Sequence, residues 1–376
     1  MSVVIDEDVL RGEESSLRAA LADALGASAA ELLLNCMAEA EPPVALVGGW
    51  LRDLLLGRSS SDIDLVAGNP DALALSLCAG GARKKVLLDP VRRTWRVLLS
   101  ATSYVDISAP RGEGPDPLLA DLRGRDLRVN AIAWSPVHGL LDPLDGAQDL
   151  RDGVLRAASE TALAEDPLRA LRVWRIALKL ELQPAAELLA QLDNVSLAET
   201  APERVRTELQ QILLHEDCMR ALAALDGAGI LSQALPAQIR MDRLARCTSR
   251  PFSTPALRRC LAAAQGGGDS DIAALRLGWL LDTPGLKKEL LQRRWSRRTA
   301  RLADIVSRQV QRGADEETSS NEMDADLRRW KAASAHALLG RVASLGEAEA
   351  ETLVGGYLDV LGDAAMAGPL GTSPRW

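Results

Sequence analysis

One stretch constrains the fold more than any other, Val44 to Val66, which reads VALVGGWLRDLLLGRSSSDIDLV. Its opening run, Val44-Ala45-Leu46-Val47, has strand character. Gly48-Gly49 ends the run, and Trp50 to Leu56 follows with helical spacing. Gly57 stands where a glycine stops a helix. After the polar turn Ser59-Ser60-Ser61, a second apolar run carries Asp62 and Asp64. Strand residues two apart share a side, so both carboxylates face one way. Paired acids repel each other unless a cation lies between them, and oxygen-only ligands suit Mg2+. A glycine pair at a strand-to-helix turn presents backbone N–H groups where a phosphate can sit. A phosphate cradle beside a metal site is the layout of phosphoryl transfer.

The 376 residues are enough for two or three domains and a large apolar core. Every apolar run is interrupted by Arg, Asp or Glu before it reaches transmembrane length, so no membrane association is expected. The acidic, polar start, MSVVIDEDVLRGEES, is unlike a signal peptide. Cys36, Cys78, Cys218, Cys247 and Cys260 are dispersed without CxxC spacing, which points to reduced thiols and a cytoplasmic protein. His138, His215 and His336 are too scattered for a metal cluster. A net charge of −8 argues against a nucleic-acid-coated protein but leaves room for a local basic surface. The densest basic run, Gln292 to Arg301, suits a solvated helix face and a phosphate-backbone contact equally.

Along the chain, residues 15 to 40 read as one or two helices. A helix is expected over Pro70–Cys78 with Asn69 in its N-cap region. Strands are expected over Ala82–Leu88, Thr94–Leu99 and Ser103–Ser108, with Asp89-Pro90 as a turn. No regular βαβ rhythm emerges, so a small mixed or antiparallel sheet backed by helices is expected, not a doubly wound fold. Beyond about residue 158 strand signals fade, and Glu165–Leu182, Thr200–His215 and Cys218–Ala228 read as helices. Thr200 and Glu203 match a capping box, with Pro202 in the first turn. Residues 229 to 376 look helical too, interrupted by Gly266-Gly267-Gly268 and an acidic stretch from Gly313 to Asp326. The class is therefore α+β. N-terminal helices (1–40) precede a catalytic head (41–157), a helical neck (158–235) and an all-α body and tail (236–376).

Three constellations carry chemistry. Asp62 and Asp64 are the first, and a solvated turn is the alternative for any lone Asp-x-Asp. Asp106, on the strand Tyr104–Ser108, would bring a third carboxylate to the same metals, or stand as an exposed acid on an edge strand. The second is Arg123 to Ala133, RGRDLRVNAIA, read as about two turns of helix. There Arg125 suits phosphate, Asp126 a ribose hydroxyl and Asn130 phosphate or sugar, while surface i,i+4 pairing is the ordinary alternative. The third is Glu165 to Arg175, EDPLRALRVWR. Pro167 suits a first helical turn, Asp166 the cap, and Arg169 the same face as Asp166. Arg172 and Arg175 extend that row, Leu168, Leu171 and Leu178 face a core, and a surface salt-bridge row is the alternative.

In this order the segments closely resemble the class II tRNA nucleotidyltransferase and bacterial poly(A) polymerase family. Gly48 to Asp64 is similar to that family's Gly-Gly-x-(Val/Leu)-Arg-Asp element and Asp-x-Asp pair. Gly124 to Ala131 is similar to its Arg-Arg-Asp-…-Asn-Ala element, and Glu165 to Arg172 to its Glu-Asp-x-x-Arg-x-x-Arg element. Residues 201 to 214, ending PERVRTELQQILL, resemble its neck. The likeness covers about residues 40 to 235.

The resemblance implies addition of nucleotides to the 3′ end of tRNA with two Mg2+ ions on Asp62 and Asp64. Gly48, Gly49 and Arg52 would line the triphosphate path, and Asp166 and Arg169 would read the incoming base. The chemistry agrees: cytosine and adenine each present an amino donor beside a ring-nitrogen acceptor, matching a carboxylate beside a guanidinium. Uracil and guanine invert that pattern, at about 1–3 kcal/mol per unpaired buried group. CTP, with ATP as a further candidate, is the expected substrate. The chain departs from the family where Gly124 replaces the first arginine of Arg-Arg-Asp. The interval between Asp106 and Asp126 is short, which resembles members that stop after two C residues. Residues 240 to 376 match no body or tail pattern, and no His-Asp phosphohydrolase signature is present. Addition of CC is therefore expected. CCA addition, A addition, poly(A) synthesis and an inactive RNA-binding relative are the alternatives.

Overall fold

The computed structural model describes residues 14–112, 115–215, 217–235 and 286–301, with Leu277, Leu281, Ala303, Asp304 and Ser307. The Gly266–Gly268 break, the acidic stretch from Gly313 to Asp326, Cys247, Cys260 and His336 lie outside the described residues. Two compact units divide the chain, Met1–Val195 and Ser196–Trp376. The helical segment expected to open a neck at residue 158 thus belongs to the first unit up to Val195.

The first unit is built on a seven-stranded sheet. Helices α1 (Glu14–Leu25) and α2 (Ala27–Glu39) lead into strand β1 (Val44–Val47), helix α3 (Gly49–Leu55) and strand β2 (Ile63–Ala67). Helix α4 (Pro70–Ala79) follows, begun by the Asn69 side chain, which accepts from Ala72 N at 3.3 Å. Strands β3 (Lys84–Asp89), β4 (Thr94–Leu98) and β5 (Tyr104–Ser108) form a meander. Asp89 folds its first turn by accepting from Val91 N and Arg92 N at 2.8 and 3.1 Å. After helix α5 (Pro117–Arg123) come strands β6 (Ala133–Ser135) and β7 (Gly139–Leu141). The order is β3-β4-β5-β2-β1-β6-β7, and β2 with β5 is its parallel pair among antiparallel neighbours.

Alternation along the strands assigns the two faces. Leu46, Ile63, Leu65, Val97, Val105 and Ile107 point to one side, into a core closed by Leu17, Leu21, Leu33, Leu73 and Leu77 of α1, α2 and α4. Ala45, Val47 and Val66 point to the other, where Leu118 and Leu122 of α5 cover them. Asp64, Arg96 and Asp106 lie on this second face, because they alternate with Ile63, Leu65, Val97, Val105 and Ile107.

Two expectations are corrected here. Arg123 to Ala133 is not a two-turn helix. Leu127 is extended and bridges Ala157, Arg128–Asn130 is a single 3-10 turn, and Ala133 enters β6. The helical spacing is overridden because Val47 and Leu46 of β1 take Ala133 and Trp134 as ladder partners. The Glu165–Leu182 helix is broken into α7 (Ala162–Glu165) and α8 (Arg169–Leu180), and Pro167 lies in the gap. Strands β8 (Val154–Leu155) and β9 (Gln183–Pro184) pair in parallel on either side of α8, where no strand signal stood out.

Helix α6 (Gly146–Asp152) packs its first residue against the 3-10 turn so closely that a Cβ at Gly146 would lie 2.2 Å from Arg128 O. Asp142 anchors this approach by accepting from Gly146 N and Ala147 N at 2.7 and 2.9 Å. The first unit ends with α9 (Ala186–Leu192).

In the second unit, α10 (Pro202–Leu214), α11 (Cys218–Gly227) and α12 (Leu231–Ala234) pack around Val205, Leu209, Ile212, Leu222 and Leu225. The capping box expected from Thr200 and Glu203 does not form. Ala201 occupies the N-cap because Pro202 takes the first helical position, one residue later than the box requires. The basic run from Gln292 is not one helix face. It follows α13 (Leu286–Gln292), bends at Arg294, and places Arg294 at 3.1 Å from Glu203 and Arg293 at 3.5 Å from Glu289. Cys36, Cys78 and Cys218 carry thiols.

Gly146→Ala must displace the Arg128 carbonyl, and a urea melt should show a loss of about 1–3 kcal/mol relative to the unsubstituted protein.

Candidate active site

The acids come together on the second face of the sheet. In the parallel ladder Asp64 is the register partner of Asp106, so the two carboxylates project side by side. Asp62 lies just before β2 and accepts a hydrogen bond from the Tyr104 phenol at 2.7 Å. Strand β5 is interior, between β4 and β2, which excludes the edge-strand reading of Asp106. Both oxygens of Asp106 are held by Arg96, at 2.8 and 2.7 Å. The Arg96 guanidinium also sits over the Tyr104 ring, 4.0 Å from its centroid.

Asp64 is partly open to solvent, yet its carboxyl is surrounded by the neighbouring chain. That desolvation pushes its carboxyl up to about 6, with Asp106 and Asp62 adding to the rise and Arg125 and Arg111 opposing it. The Tyr104 phenol is also raised, first by its bond to Asp62, and so stays a donor at neutral pH. Among the described residues no group of three His, Cys, Asp or Glu side chains is placed to hold a metal ion. Asp62 and Asp64 offer carboxylate oxygens of the kind Mg2+ accepts, whereas each oxygen of Asp106 already accepts a bond from Arg96.

The helix after the glycine pair and the second and third constellations meet through a network of polar groups with a buried centre. Arg52 of α3 is buried and donates to Asp53 Oδ1 at 2.8 and 2.5 Å and to Asn130 Oδ1 at 2.5 Å. Asn130 Nδ2 donates to Asp126 Oδ1 at 2.8 Å, and Asp126 Oδ2 accepts from Arg172 Nε at 3.0 Å. At the other end Lys179 reaches Asp53 Oδ2 at 2.9 Å, and Arg58 donates to the Lys179 carbonyl at 2.8 Å. Burial alone would raise Asp126. The Arg172 charge, the Asn130 amide and Leu127 N–H outweigh it and hold the carboxyl below the usual range.

A second set of contacts locks the same elements. Arg169 is buried and donates to Gly124 O at 2.7 Å, Arg125 O at 3.3 Å and Ala162 O at 3.0 Å. Its guanidinium therefore grips the backbone of the second constellation. Asp166 accepts from Leu168 N at 3.2 Å, closing an Asx turn across Pro167; it is not the N-cap of α8, a position that Leu168 takes. Arg125 donates to Asp121 Oδ2 at 3.1 and 2.8 Å and packs on Gly48, where a Cβ would lie 2.8 Å from Nη1. Gly48 has φ +79°, so both its backbone and its neighbour demand glycine. Gly49 follows at the start of α3, within reach of the Arg52 guanidinium. Arg175 is half-buried on α8. Sequence reading missed Arg96, Tyr104 and Asp121, which have no motif and acquire their role only through strand register and, for Asp121, through its contacts with Arg111 N and Arg125.

Comparison with known proteins places this geometry. The poly A polymerase head domain model matches residues 44–156, and the model for a probable RNA and SrmB-binding site of polymerase A matches residues 184–241. A CC-adding tRNA nucleotidyltransferase of Deinococcus radiodurans is 33% identical over 260 residues, 64% of this chain and 68% of that protein. The chain belongs to the class II tRNA nucleotidyltransferase and poly(A) polymerase family. Other members differ in name. An A-adding tRNA nucleotidyltransferase of the same organism is 40% identical over 204 residues, 52% of this chain and 45% of that protein. A CC-adding enzyme of Geobacter sulfurreducens is 37% identical over 225 residues, 56% and 52% of the two chains. The chain thus spans about half the length of several curated relatives it matches. Its fold is that of family structures: a CCA-adding enzyme in apo form superposes with a TM-score of 0.72 at 23% identity, covering 90% of this chain and 83% of the other. The CCA-adding enzyme of Thermotoga maritima, solved with tRNA, gives 0.71 at 21% identity, covering 95% and 90%. Among the described residues no helix is long and apolar enough to cross a membrane.

The raised carboxyl has a signed consequence. In metal-free protein the native Asp64 binds its proton more tightly than the unfolded chain does, so stability falls as pH rises from about 4 to 6 and the deficit is complete above 6. Asp64→Asn should therefore be more stable than the wild type in chelator at pH 7. The difference should vanish below about pH 4, as read by urea melts across that range.

Proposed function

We propose that this family member is a template-independent nucleotidyltransferase acting on the 3′ end of tRNA, and that it adds CMP from CTP, stopping after CC. The observation that carries the reading is the side-by-side placement of Asp64 and Asp106 in the parallel ladder, with Asp62 just before it and bonded to Tyr104 beside Asp106, in a chain whose named relatives are tRNA nucleotidyltransferases. The head (41–157), neck (158–235) and body with tail (236–376) remain the proposed division of labour.

Asp62 and Asp64 would hold Mg2+, whose chemistry at such a pair is to activate a terminal 3′-hydroxyl and neutralise a departing pyrophosphate. Gly48, Gly49, Arg52 and Arg125 are proposed to shape the triphosphate path. Arg52 and Arg125 would do so from fixed positions, since Asp53, Asn130 and Asp121 already orient their guanidinium groups. Asp126 is proposed to act on the ribose side through Asn130 and Arg172, because its own oxygens are engaged inside the protein. Asp166 and Arg169 are proposed to select cytosine by pairing acceptor with amino group and donor with ring nitrogen. For that, Arg169 exchanges a backbone carbonyl for the base, a near-neutral trade of one hydrogen bond for another. Arg175 extends the positive edge of α8. The same donor–acceptor pattern admits ATP, and the short Asp106–Asp126 interval favours CTP and CC addition.

Purified protein with Mg2+ should add two labelled C to a tRNA transcript lacking CCA, one to a transcript ending in C and none to one ending in CC, with no A added to any of them. Addition of A to the CC-ending transcript alone means an A-adding enzyme, addition of all three means a CCA-adding enzyme, and long A tails mean a poly(A) polymerase. No incorporation at all would favour an inactive RNA-binding relative. Separately, Asp62→Ala should abolish incorporation while leaving tRNA binding in a gel-shift assay largely intact. Undiminished turnover in that variant would remove Asp62 from the mechanism.

A further inference from the structure

The parallel ladder that aligns Asp64 with Asp106 begins at Ile63, so Asp62 lies outside it and the sheet does not orient its carboxylate. What does orient it is Tyr104, whose phenol donates to Asp62 Oδ1 at 2.7 Å. Tyr104 is in turn held. The Arg96 guanidinium covers its ring at 4.0 Å and donates to both oxygens of Asp106 at 2.8 and 2.7 Å. One side of this guanidinium meets a π-face and its edge meets a carboxylate, the two partners a planar cation binds best. Arg96, Tyr104 and Asp106 come from adjacent strands, Arg96 facing Asp106 directly in the antiparallel register. The cluster is thus a clamp built on two strands, with one free end that touches Asp62.

Resting on the reading of Asp62 and Asp64 as metal ligands, we propose that Tyr104 is a positioning residue that aims Asp62 at the cation. Arg96 holds Tyr104 and withdraws Asp106 from the coordination sphere. The pair then offers two carboxylates, one set by the strand and one by the phenol. A bond to one oxygen of Asp62 leaves the other to meet the cation, and removes the rotation that would let the acid turn to solvent. Neutralising Asp106 with Arg96 also keeps a third negative charge from adding fully to the repulsion at Asp64. Outer-shell partners of this kind typically change metal affinity by about 10–100-fold.

The test uses the full chain without nucleotide, titrated with Mn2+ by calorimetry and electron paramagnetic resonance. Tyr104→Phe keeps the ring and its stack on Arg96 and deletes the donor alone. Its Mn2+ affinity should fall about tenfold at an unchanged thermal midpoint. In the incorporation assay its KM for Mg2+ should rise, while kcat at saturating metal stays near the wild-type value. Arg96→Gln should lose more, because both Tyr104 and Asp106 are released. A Tyr104→Phe protein that binds Mn2+ as the wild type does overturns the proposal. Asp62→Ala separates the two levels. If it loses the metal while Tyr104→Phe keeps it, the metal site stands and the role of Tyr104 falls. If it too keeps wild-type affinity, the metal reading and the proposal fall together.

Discussion

A run of polar groups with a buried centre, Lys179–Asp53–Arg52–Asn130–Asp126–Arg172, joins three elements of the first unit. Its four inner groups, Asp53, Arg52, Asn130 and Asp126, are buried and would be costly to bury unpaired, while Arg172 and Lys179 reach them from the surface. Arg52 comes from the helix after the glycine pair, Asn130 and Asp126 from the 3-10 turn and the residues before it, and Arg172 and Lys179 from α8. Removing any inner member strands a charge in the interior, so the helices and the turn have one mutual arrangement. Arg169 adds a second fastening by gripping the carbonyls of Gly124 and Arg125. Most of the polar signature in the sequence is therefore spent holding the site together.

Next to this framework the sheet provides a divided surface. One face is sealed by α1, α2 and α4 over Leu46, Ile63, Leu65, Val105 and Ile107. The opposite face is apolar only under α5 and carries Asp64, Arg96 and Asp106 beyond it. Burial of the first face is the source of stability, at about 25 cal/mol per Å2 of apolar area removed from water. The second face tolerates an uncomfortable acid because the first is so well packed. Asp64 pushed up to about 6 is the clearest sign of that tolerance.

The strands, helices and acids of Val44–Val66 were legible because their signals are local: apolar runs, a glycine pair, a polar turn and two acids in alternation. So was the cap at Asn69, whose side chain needs only the backbone three residues on. The segment Arg123–Ala133 was not. Its residues have helical spacing, but its conformation is decided by Leu46 and Val47, which lie far away in sequence and take Trp134 and Ala133 as ladder partners. Thr200 and Glu203 misled for a smaller reason, since Pro202 moved the cap by one residue. Arg96 and Tyr104 gave no signal at all. A lone arginine and a lone tyrosine on strands mean nothing until register puts them beside Asp106 and Asp62.

By itself the sequence determined which residues are acids, where strands and helices begin, and that three motifs occur in family order. Those are properties of chemistry and short-range backbone preference, which a linear chain carries in full. Only the tertiary structure decided that Asp106 is interior and ion-paired, that Asp126 is a buried strut, and that Arg169 holds backbone carbonyls. The roles of these charged groups depend on burial and on partners 10 to 46 residues away. A charge acquires its meaning from the dielectric and the opposite charges around it, and those exist only once distant segments have packed.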